Sequence, residues 1–460
     1  MNLRRWLTPG MGVKRWIVVA FAGLLLLALG AAHAIRQATQ DLEPGGVAGT
    51  VIDALTLRFL AYEARGVLVA ILGTGLFLYG AVRLMRTLMD PFTPWDREQP
   101  LVEVIYQKRF LARGPHVVAI GGGTGLSSLL RGLKEYTSNL TAVVTVADDG
   151  GSSGVLRTEL GIPAVGDIRN CIVALADAEP LMARLLQYRF PGTHALAANH
   201  GEEFVPSRDA EVGPAGLAGH PVGNLLLAAM TAVQDGDFEE AVREVNRVLA
   251  VRGRVVPATP TALTLHARLT DGSEVDGQSR IMRTPHVESV WVTPDHVVAS
   301  QDALAAIAEA DIVVLGPGSL FTSILPALLV PGIREAIAAS PAIVVFACNV
   351  ATQAGETGGF DLADHIDALE RHGAGHLPDV VLANNRFDAR PPDDWAAEPV
   401  RLRWPPARPN PPRLVLDNMV DDTNAHHHDP TRLAAAVLRV WEREGGHRRR
   451  GSATRATRTA

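Results

Sequence analysis

The chain has 460 residues, is 47% hydrophobic and carries a formal charge of −6. That supplies apolar material for a large core in two to three units, and the acidic balance gives no support to nucleic acid as a ligand. Its two cysteines, Cys171 and Cys348, sit in no zinc-ligand or Cys-x-x-Cys spacing, so they fit a reducing compartment and buried apolar roles.

In chain order, residues 16–35 come first, a run without Asp, Glu, Lys or Arg, and residues 66–82 form a second, shorter apolar run. Both are long enough to cross a bilayer, so residues 1–90 are expected to be a two-span hairpin. A cleaved signal peptide is the alternative for the first run, but no small-x-small cleavage site follows it and a second span does. Arg4, Arg5, Lys14 and Arg15 precede the hairpin, and Arg83, Arg86, Arg97, Lys108, Arg109 and Arg113 follow it. Positive-inside counting therefore places both ends in the cytoplasm. Residues 91–114 read as a linker, and residues 443–460, with Arg448, Arg449 and Arg450, as a disordered basic tail.

The soluble core begins near Pro115. Val117–Ile120 empties into Gly121, Gly122, Gly123, Thr124 and Gly125, a helix is expected over 126–136, and a second apolar run ends in Asp148, Asp149, Gly150, Gly151, Ser152 and Ser153. This is a βαβ unit whose loops open on one edge of a parallel sheet, where such sheets place ligands. Backbone amides at a helix start favour an anion, so the first loop reads as a phosphate cradle. Leu126 and Ser128 stand where the dinucleotide fingerprint would need its third glycine, and no Gly-Lys-Ser/Thr follows, so neither the dinucleotide fingerprint nor the kinase-type phosphate loop is present. The bet is a nucleotide or nucleotide-sugar site.

Gly166-Asp167-Ile168-Arg169-Asn170 leads an apolar helix, with Asp167 placed as its N-cap, and Gly219-His220-Pro221-Val222-Gly223-Asn224 leads another. Residues 235–300 interrupt the βα rhythm and are expected to be a smaller α+β insertion, with a hairpin across Asp271-Gly272-Ser273. The rhythm resumes at 311–315, which empties into a third loop, Gly316-Pro317-Gly318-Ser319, with Thr322 and Ser323 at the helix start. Two further strand ends carry Asn349 to Gln353 and Asn384-Asn385. The expected fold class is α/β, a Rossmann-like parallel sheet with a smaller α+β insertion, preceded by the hairpin.

In this order the motifs are recognisable: Gly-Gly-Gly-Thr-Gly-Leu, Asp148-Asp149-Gly-Gly-Ser-Ser-Gly, Gly166-Asp167-Ile-Arg169-Asn170, Gly219-His220-x-x-Gly223-Asn224, Gly316-Pro-Gly-Ser-Leu-x-Thr-Ser, and Cys348-Asn349-Val-x-Thr352-Gln-x-Gly355-Glu356-Thr357. Over about residues 115–442 the chain resembles the gluconeogenesis factor (YvcK-like) family, a branch of the superfamily that includes 2-phospho-L-lactate transferase (CofD-like). The resemblance implies a Rossmann-like domain that binds UDP-N-acetylglucosamine or a related UDP-sugar. It also implies a role in cell shape and envelope growth on gluconeogenic carbon, with envelope-synthesis proteins and a second copy of the chain as candidate partners. The transferase branch instead implies moving a phospholactyl group from a guanosine-containing donor. The Asp-Asp-Gly-Gly-Ser-Ser-Gly and Asn349–Thr357 stretches side with the first branch.

The expected ligand contacts follow the motifs. Gly121 to Gly125, Leu126, Gly151, Gly316, Pro317, Gly318 and Ser319 would meet phosphate through the backbone, with hydroxyls from Thr124, Ser152, Ser153, Thr322, Ser323 and Thr352. Asp148 and Asp149 are placed to hold a ribose diol or Mg²⁺, the one cofactor the residues suggest; a turn cap is the alternative role. Arg157 and Arg169 are charge partners for a diphosphate, with Asp167 and Asn170 beside them; a structural ion pair with Asp167 is the alternative role. Asn224, Asn349 and Asn384 suit uracil or sugar hydroxyls. His426-His427-His428 admits a metal reading, against which Asp429-Pro430 reads as the entry of a helix. No Ser-His-Asp, Cys-His or paired-glutamate set is evident, so a ligand-binding regulator stands ahead of a Mg-dependent transferase. An NAD(P) oxidoreductase fails on the missing third glycine.

Overall fold

The computed structural model describes residues 110–176, 180–191, 216–388, 397–404 and 411–444, with isolated helical positions at Leu24, Leu25 and Ala28. Those three positions apart, the two expected spans lie outside the described residues, as do most of the linker and tail. The chain divides into two units, Met1–Arg109 and Phe110–Ala460. Among the described residues no single helix is long and apolar enough to cross a membrane, and the one bent pair that passes on composition, Leu320–Leu328 with Ile333–Ala339, lies largely in the core.

In the second unit, β1 (Val117–Gly121) runs into α1 (Gly123–Leu133) and β2 (Leu140–Val144) into α2 (Gly151–Leu160). Next come α3 (Gly166–Leu175), α4 (Pro180–Gln187), α5 (Val222–Val233), α6 (Phe238–Val248) and β3 (Arg254–Pro257). The hairpin β4 (Thr264–Leu269) and β5 (Glu274–Asp276) is followed by the short α7 (Gln278–Ile281) and β6 (Val287–Thr293). The βα rhythm returns with α8 (Gln301–Glu309), β7 (Ile312–Leu315), a π turn (Leu320–Ile324), α9 (Leu325–Leu328), α10 (Ile333–Ala339) and β8 (Ile343–Ala347). The last elements are α11 (Leu362–Arg371), β9 (Val380–Asn384), β10 (Arg413–Asp417) and α12 (Pro430–Arg443).

The strands β1, β2, β7, β8 and β9 are almost wholly apolar, Thr141 and Asn384 being the exceptions, and are buried along their whole length. A strand with both faces covered needs no polar alternation, which is the mark of a parallel sheet sandwiched between helices. They form one seven-stranded sheet in the order β10-β9-β8-β7-β1-β2-β3, and every pairing in it is parallel. The chain winds outward from β1 to β3, then returns to β7 beside β1 and winds outward again to β10. The direction of winding therefore reverses between β1 and β7, and a crevice opens at their carboxyl ends. Each fully buried Leu, Ile or Val contributes roughly 1.5–3 kcal/mol, so these runs carry much of the fold's stability.

The separate antiparallel sheet, β5-β4-β6, is confined to Thr264–Thr293. The insertion expected over 235–300 is accordingly narrower, because α6 packs on β3 and β3 extends the main sheet beside β2. Which sheet a four-residue strand joins is set by its pairing partner, which local patterning does not carry. The helix expected over 126–136 begins earlier, at Gly123, and the one expected after Thr322 opens as a π turn. Glycine and β-branched residues are poor helix formers, so tertiary contacts decide those two starts.

Candidate functional site

Two glycine loops meet at the β1–β7 switch point. A side chain on Gly125 would come within 2.9 Å of the Pro317 carbonyl oxygen, and Gly318 lies in a backbone conformation of φ +156° with the Gly122 carbonyl beside it. The first and third loops thus pack backbone to backbone, which only glycine permits at Gly125. Between them opens a cleft lined by Gly122, Gly123, Thr124, Gly125, Gly318, Ser319, Ser323 and Asn349 among the expected residues. Its other walls are Ser128, Val350, Ala351, Gln353 and the His426–His428 turn. The α1 start presents amides to this space, a setting that favours an anion.

Asn349 builds the third loop as well as facing the cleft. Its Oδ1 accepts from Gly318 N at 3.2 Å and its Nδ2 donates to Gly318 O at 2.9 Å. Gln353 Nε2 donates to Ser319 Oγ at 2.8 Å.

Beside the cleft, behind Gly122 and Gly123, a buried polar network gathers the second loop. The Asp148 carboxylate accepts from Gly150 N at 2.9 Å, and the Ser153 hydroxyl also donates to it. Asn224 Nδ2 donates to Ser152 Oγ at 2.9 Å, and Ser152 Oγ pairs with His220 Nδ1 at 2.8 Å. Arg169 donates from Nη1 to Asn224 Oδ1 at 3.1 Å and from Nη2 to Asn170 Oδ1 at 2.9 Å. Burial lowers Arg169 to about 10, with Arg189 adding to the fall and Asp167 and Asp148 opposing it.

Asp167 is the most constrained member. It does not cap α3: the N-cap position is Val165, and Asp167 lies in the first turn. Its Oδ2 is sealed from solvent without a hydrogen-bond partner, and a side chain on Gly122 would meet that oxygen within 2.3 Å. Burial first and the Asp148 charge second raise its carboxyl to about 7, against the Gly123 amide and Arg169. Asp148 is raised by the same first cause, burial.

The expected Mg²⁺ pair, Asp148 and Asp149, does not converge. Asp149 Oδ1 accepts from Ser279 N at 2.8 Å, so its carboxylate turns toward α7 and ties the second loop to the small sheet. The convergent carboxylates are Asp148 and Asp167. Two carboxylates, one with an unsatisfied buried oxygen, suit Mg²⁺ that takes its remaining ligands from water and substrate phosphate. No group of three or more His, Cys, Asp or Glu side chains fit for a metal exists among the described residues, so an all-protein cage does not form.

Several other expected contacts are directed elsewhere. Leu126 is fully buried in the core. Arg157 Nη2 donates to Thr264 Oγ1 and braces α2 against β4. Thr322 is fully buried and its hydroxyl donates to Glu356, and neither residue lines the cleft. Thr352 Oγ1 accepts from Glu398 N at 3.0 Å, and Asn384 accepts from Met419 N at 3.3 Å and donates to Arg386 O at 2.6 Å. These polar groups have the right chemistry but are taken up by backbone or side-chain partners within the fold, the usual fate of buried hydroxyls and amides. Gly121, Gly316 and Pro317 are buried beneath the loops as framework, while Gly151 is exposed at the α2 start.

Gln353 and the histidine turn went unassigned as ligand contacts from the sequence. Asp429 does cap α12, its side chain accepting from Arg432 N, and Pro430 takes the first helical position. The same turn presents His426 and His427 to the cleft, while His428 is buried with Nε2 against Cys348 O at 3.2 Å. Burial lowers His428 to about 4. Cys171 and Cys348 are both buried and free, their thiols pushed up by burial.

The chain matches the family model described as 2-phospho-L-lactate transferase CofD over residues 117–399. It is 47% identical over 277 residues to the gluconeogenesis factor of Bacillus subtilis, covering 60% of this chain and 80% of that one. To a Nostoc protein it is 40% identical over 445 residues, covering 95% of this chain and 92% of the relative. A crystal structure of a Bacillus halodurans protein superposes with a TM-score of 0.63 at 40% identity, covering 71% of this chain and 100% of that one. A switch-point cleft built from glycine loops and a match of this extent make the chain a member of the gluconeogenesis factor family, within the CofD-like superfamily of 2-phospho-L-lactate transferase.

Proposed function

We propose that this protein is a membrane-tethered regulator that binds a UDP-sugar, UDP-N-acetylglucosamine first, and supports cell shape and envelope growth on gluconeogenic carbon. The observation that carries it is the cleft at the switch point, where two interlocked glycine loops line the same space as Asn349, Gln353 and the His426–His427 turn. The α1 start and the Ser323 hydroxyl suit a diphosphate, and the carboxamides and imidazoles suit sugar or uracil edges. Family membership supports the regulatory role. The tether rests on the two apolar runs near the N-terminus, with envelope-synthesis proteins and a second copy of the chain as its proposed partners.

A second reading, a Mg-dependent transferase, is favoured by Asp148 and Asp167. In that reading the two carboxylates hold Mg²⁺, which supplies positive charge to a phosphate leaving group. Arg169 orients the pair through charge, and the first-loop amides bind the donor phosphate.

The test is calorimetric binding of the full chain in detergent to UDP-GlcNAc, UDP-glucose and GDP, with and without Mg²⁺, followed by recovery of the ligand. Selective UDP-GlcNAc binding with the ligand returned intact supports the regulator. Preference for GDP, or a consumed donor, replaces it with the transferase. A deletion strain that grows normally on gluconeogenic carbon removes the physiological role.

A further inference from the structure

Glu356 lies in the turn after β8, is 3% exposed, and is a carboxylate enclosed behind the third loop. Its Oε2 accepts from Phe321 N at 3.1 Å and its Oε1 from the Thr322 hydroxyl, with the Thr322 amide and Ser319 hydroxyl also directed to it. Gly318, Ser319 and Ser323 of the same loop line the cleft, whereas Thr322 and Glu356 do not. One short loop therefore carries a buried negative group on its back and the proposed diphosphate site on its front.

We propose that Glu356 is a positioning residue of the anion site: it holds the turn from Ser319 to Thr322 in shape from behind, and its charge opposes that of the anion bound in front. The proposal rests on the reading that the cleft takes a phosphate-bearing ligand. The third loop places no charged side chain between the two, so the opposition is not screened from within the loop. Burial raises the Glu356 carboxyl to about 7, against its hydrogen bonds from Thr322, Phe321 and Ser319. An anion in the cleft favours the protonated form further, so binding takes up a proton and tightens as pH falls through about 7.

The other titratable groups around the loop are mostly imidazoles. From α11, His372 sits edge-on to Phe321 at 6.1 Å and His365 edge-on to Phe360 at 5.6 Å. Across the cleft lie His426, His427 and His428, and behind the first loop lies Asp167. Burial lowers His365, His372, His426 and His428, which keeps those rings neutral at pH 7. The share of pH dependence belonging to Glu356 is the share that Glu356→Gln removes.

The experiment measures affinity of the full chain for UDP-GlcNAc and for sulfate at pH 6 and pH 8, in wild type, Glu356→Gln and Glu356→Ala; neither probe titrates in that range. Wild-type affinity is expected to rise on the order of tenfold from pH 8 to pH 6. Glu356→Gln keeps an acceptor for the turn without the charge, so it should bind at pH 8 nearly as wild type binds at pH 6. Glu356→Ala, checked for folding by circular dichroism, should lose about tenfold at both pH values. Wild-type binding that Glu356→Gln and Glu356→Ala leave unchanged, pH profile included, overturns the proposal and spares the UDP-sugar reading. Sulfate binding with this pattern but no UDP-GlcNAc binding keeps the proposal and removes that reading. A wild type that binds neither probe overturns both.

Discussion

The buried Asp167 carboxyl at the start of α3 feels the charge of Asp148, whose sequence neighbour Asp149 turns one oxygen to the Ser279 amide. Two acids held together out of water compete for one proton. Such a pair stays in a fold when something else, a cation or a ligand group, answers its charge.

Burial of Asp167, with the Asp148 charge adding to it, has a cost that pH exposes. The Asp167 carboxyl is raised from 3.8 to about 7, so the folded state is favoured below pH 4 and loses that advantage as pH rises through 7. The displacement corresponds to at most about 4 kcal/mol. Asp167→Asn should therefore unfold later than wild type at pH 8 in EDTA, with the gain shrinking as pH falls toward 4. Urea unfolding at the two pH values checks this, and a gain that does not change with pH would show that the Asp167 carboxyl is not raised in the folded state.

Neighbouring aspartates should respond differently. Asp148→Ala should cut UDP-GlcNAc affinity by about tenfold or more and abolish any Mg²⁺ stimulation of binding. Asp149→Ala should keep most of the affinity but lose about 1–3 kcal/mol of stability with its bond to Ser279 N. Calorimetry and denaturant unfolding on the two variants separate these roles; equal affinity losses would return Asp149 to the site.

The loop interlock is tested at Gly125. A methyl group there would meet the Pro317 carbonyl oxygen at 2.9 Å and adjacent backbone atoms at 3.0 and 3.1 Å. Backbone cannot yield as a side-chain tip can, so Gly125→Ala should cost about 1–3 kcal/mol and weaken the ligand by tenfold or more. A variant with wild-type affinity would mean that the two loops move independently.

The turn before α12 carries two functions that mutation can divide. Asp429→Ala removes the cap on Arg432 N and should cost about 1 kcal/mol. His427→Ala leaves the cap in place and should weaken UDP-GlcNAc binding several-fold with little change in melting temperature. Neither protein should be stabilised by Zn²⁺ in a thermal-shift titration, and a Zn²⁺ shift that His427→Ala removes would revive the metal reading.

Local patterning carried the class of the fold far. Unbroken apolar runs such as Ile343–Ala347, each followed by a small polar loop, mark a parallel sheet and its ligand edge before any strand is placed. The glycines of the first and third loops were legible for the same reason, since a backbone that must approach another backbone leaves one choice of residue. Side chains were less legible. Thr322, Thr352 and Asn384 look like ligand groups in a motif, yet each is consumed by backbone or a buried partner that only the folded chain brings near.

A parallel α/β domain, the two apolar runs that precede it, and the family to which it belongs can all be read from the chain alone, because periodicity, glycine placement and motif order are local properties. That β3 joins the main sheet, that Asp148 faces Asp167, and that Gln353 and the histidine turn wall the cleft were settled only by the folded arrangement. These are relations between segments far apart in the chain, fixed by strand order and by burial, and no local pattern encodes the partner that burial selects.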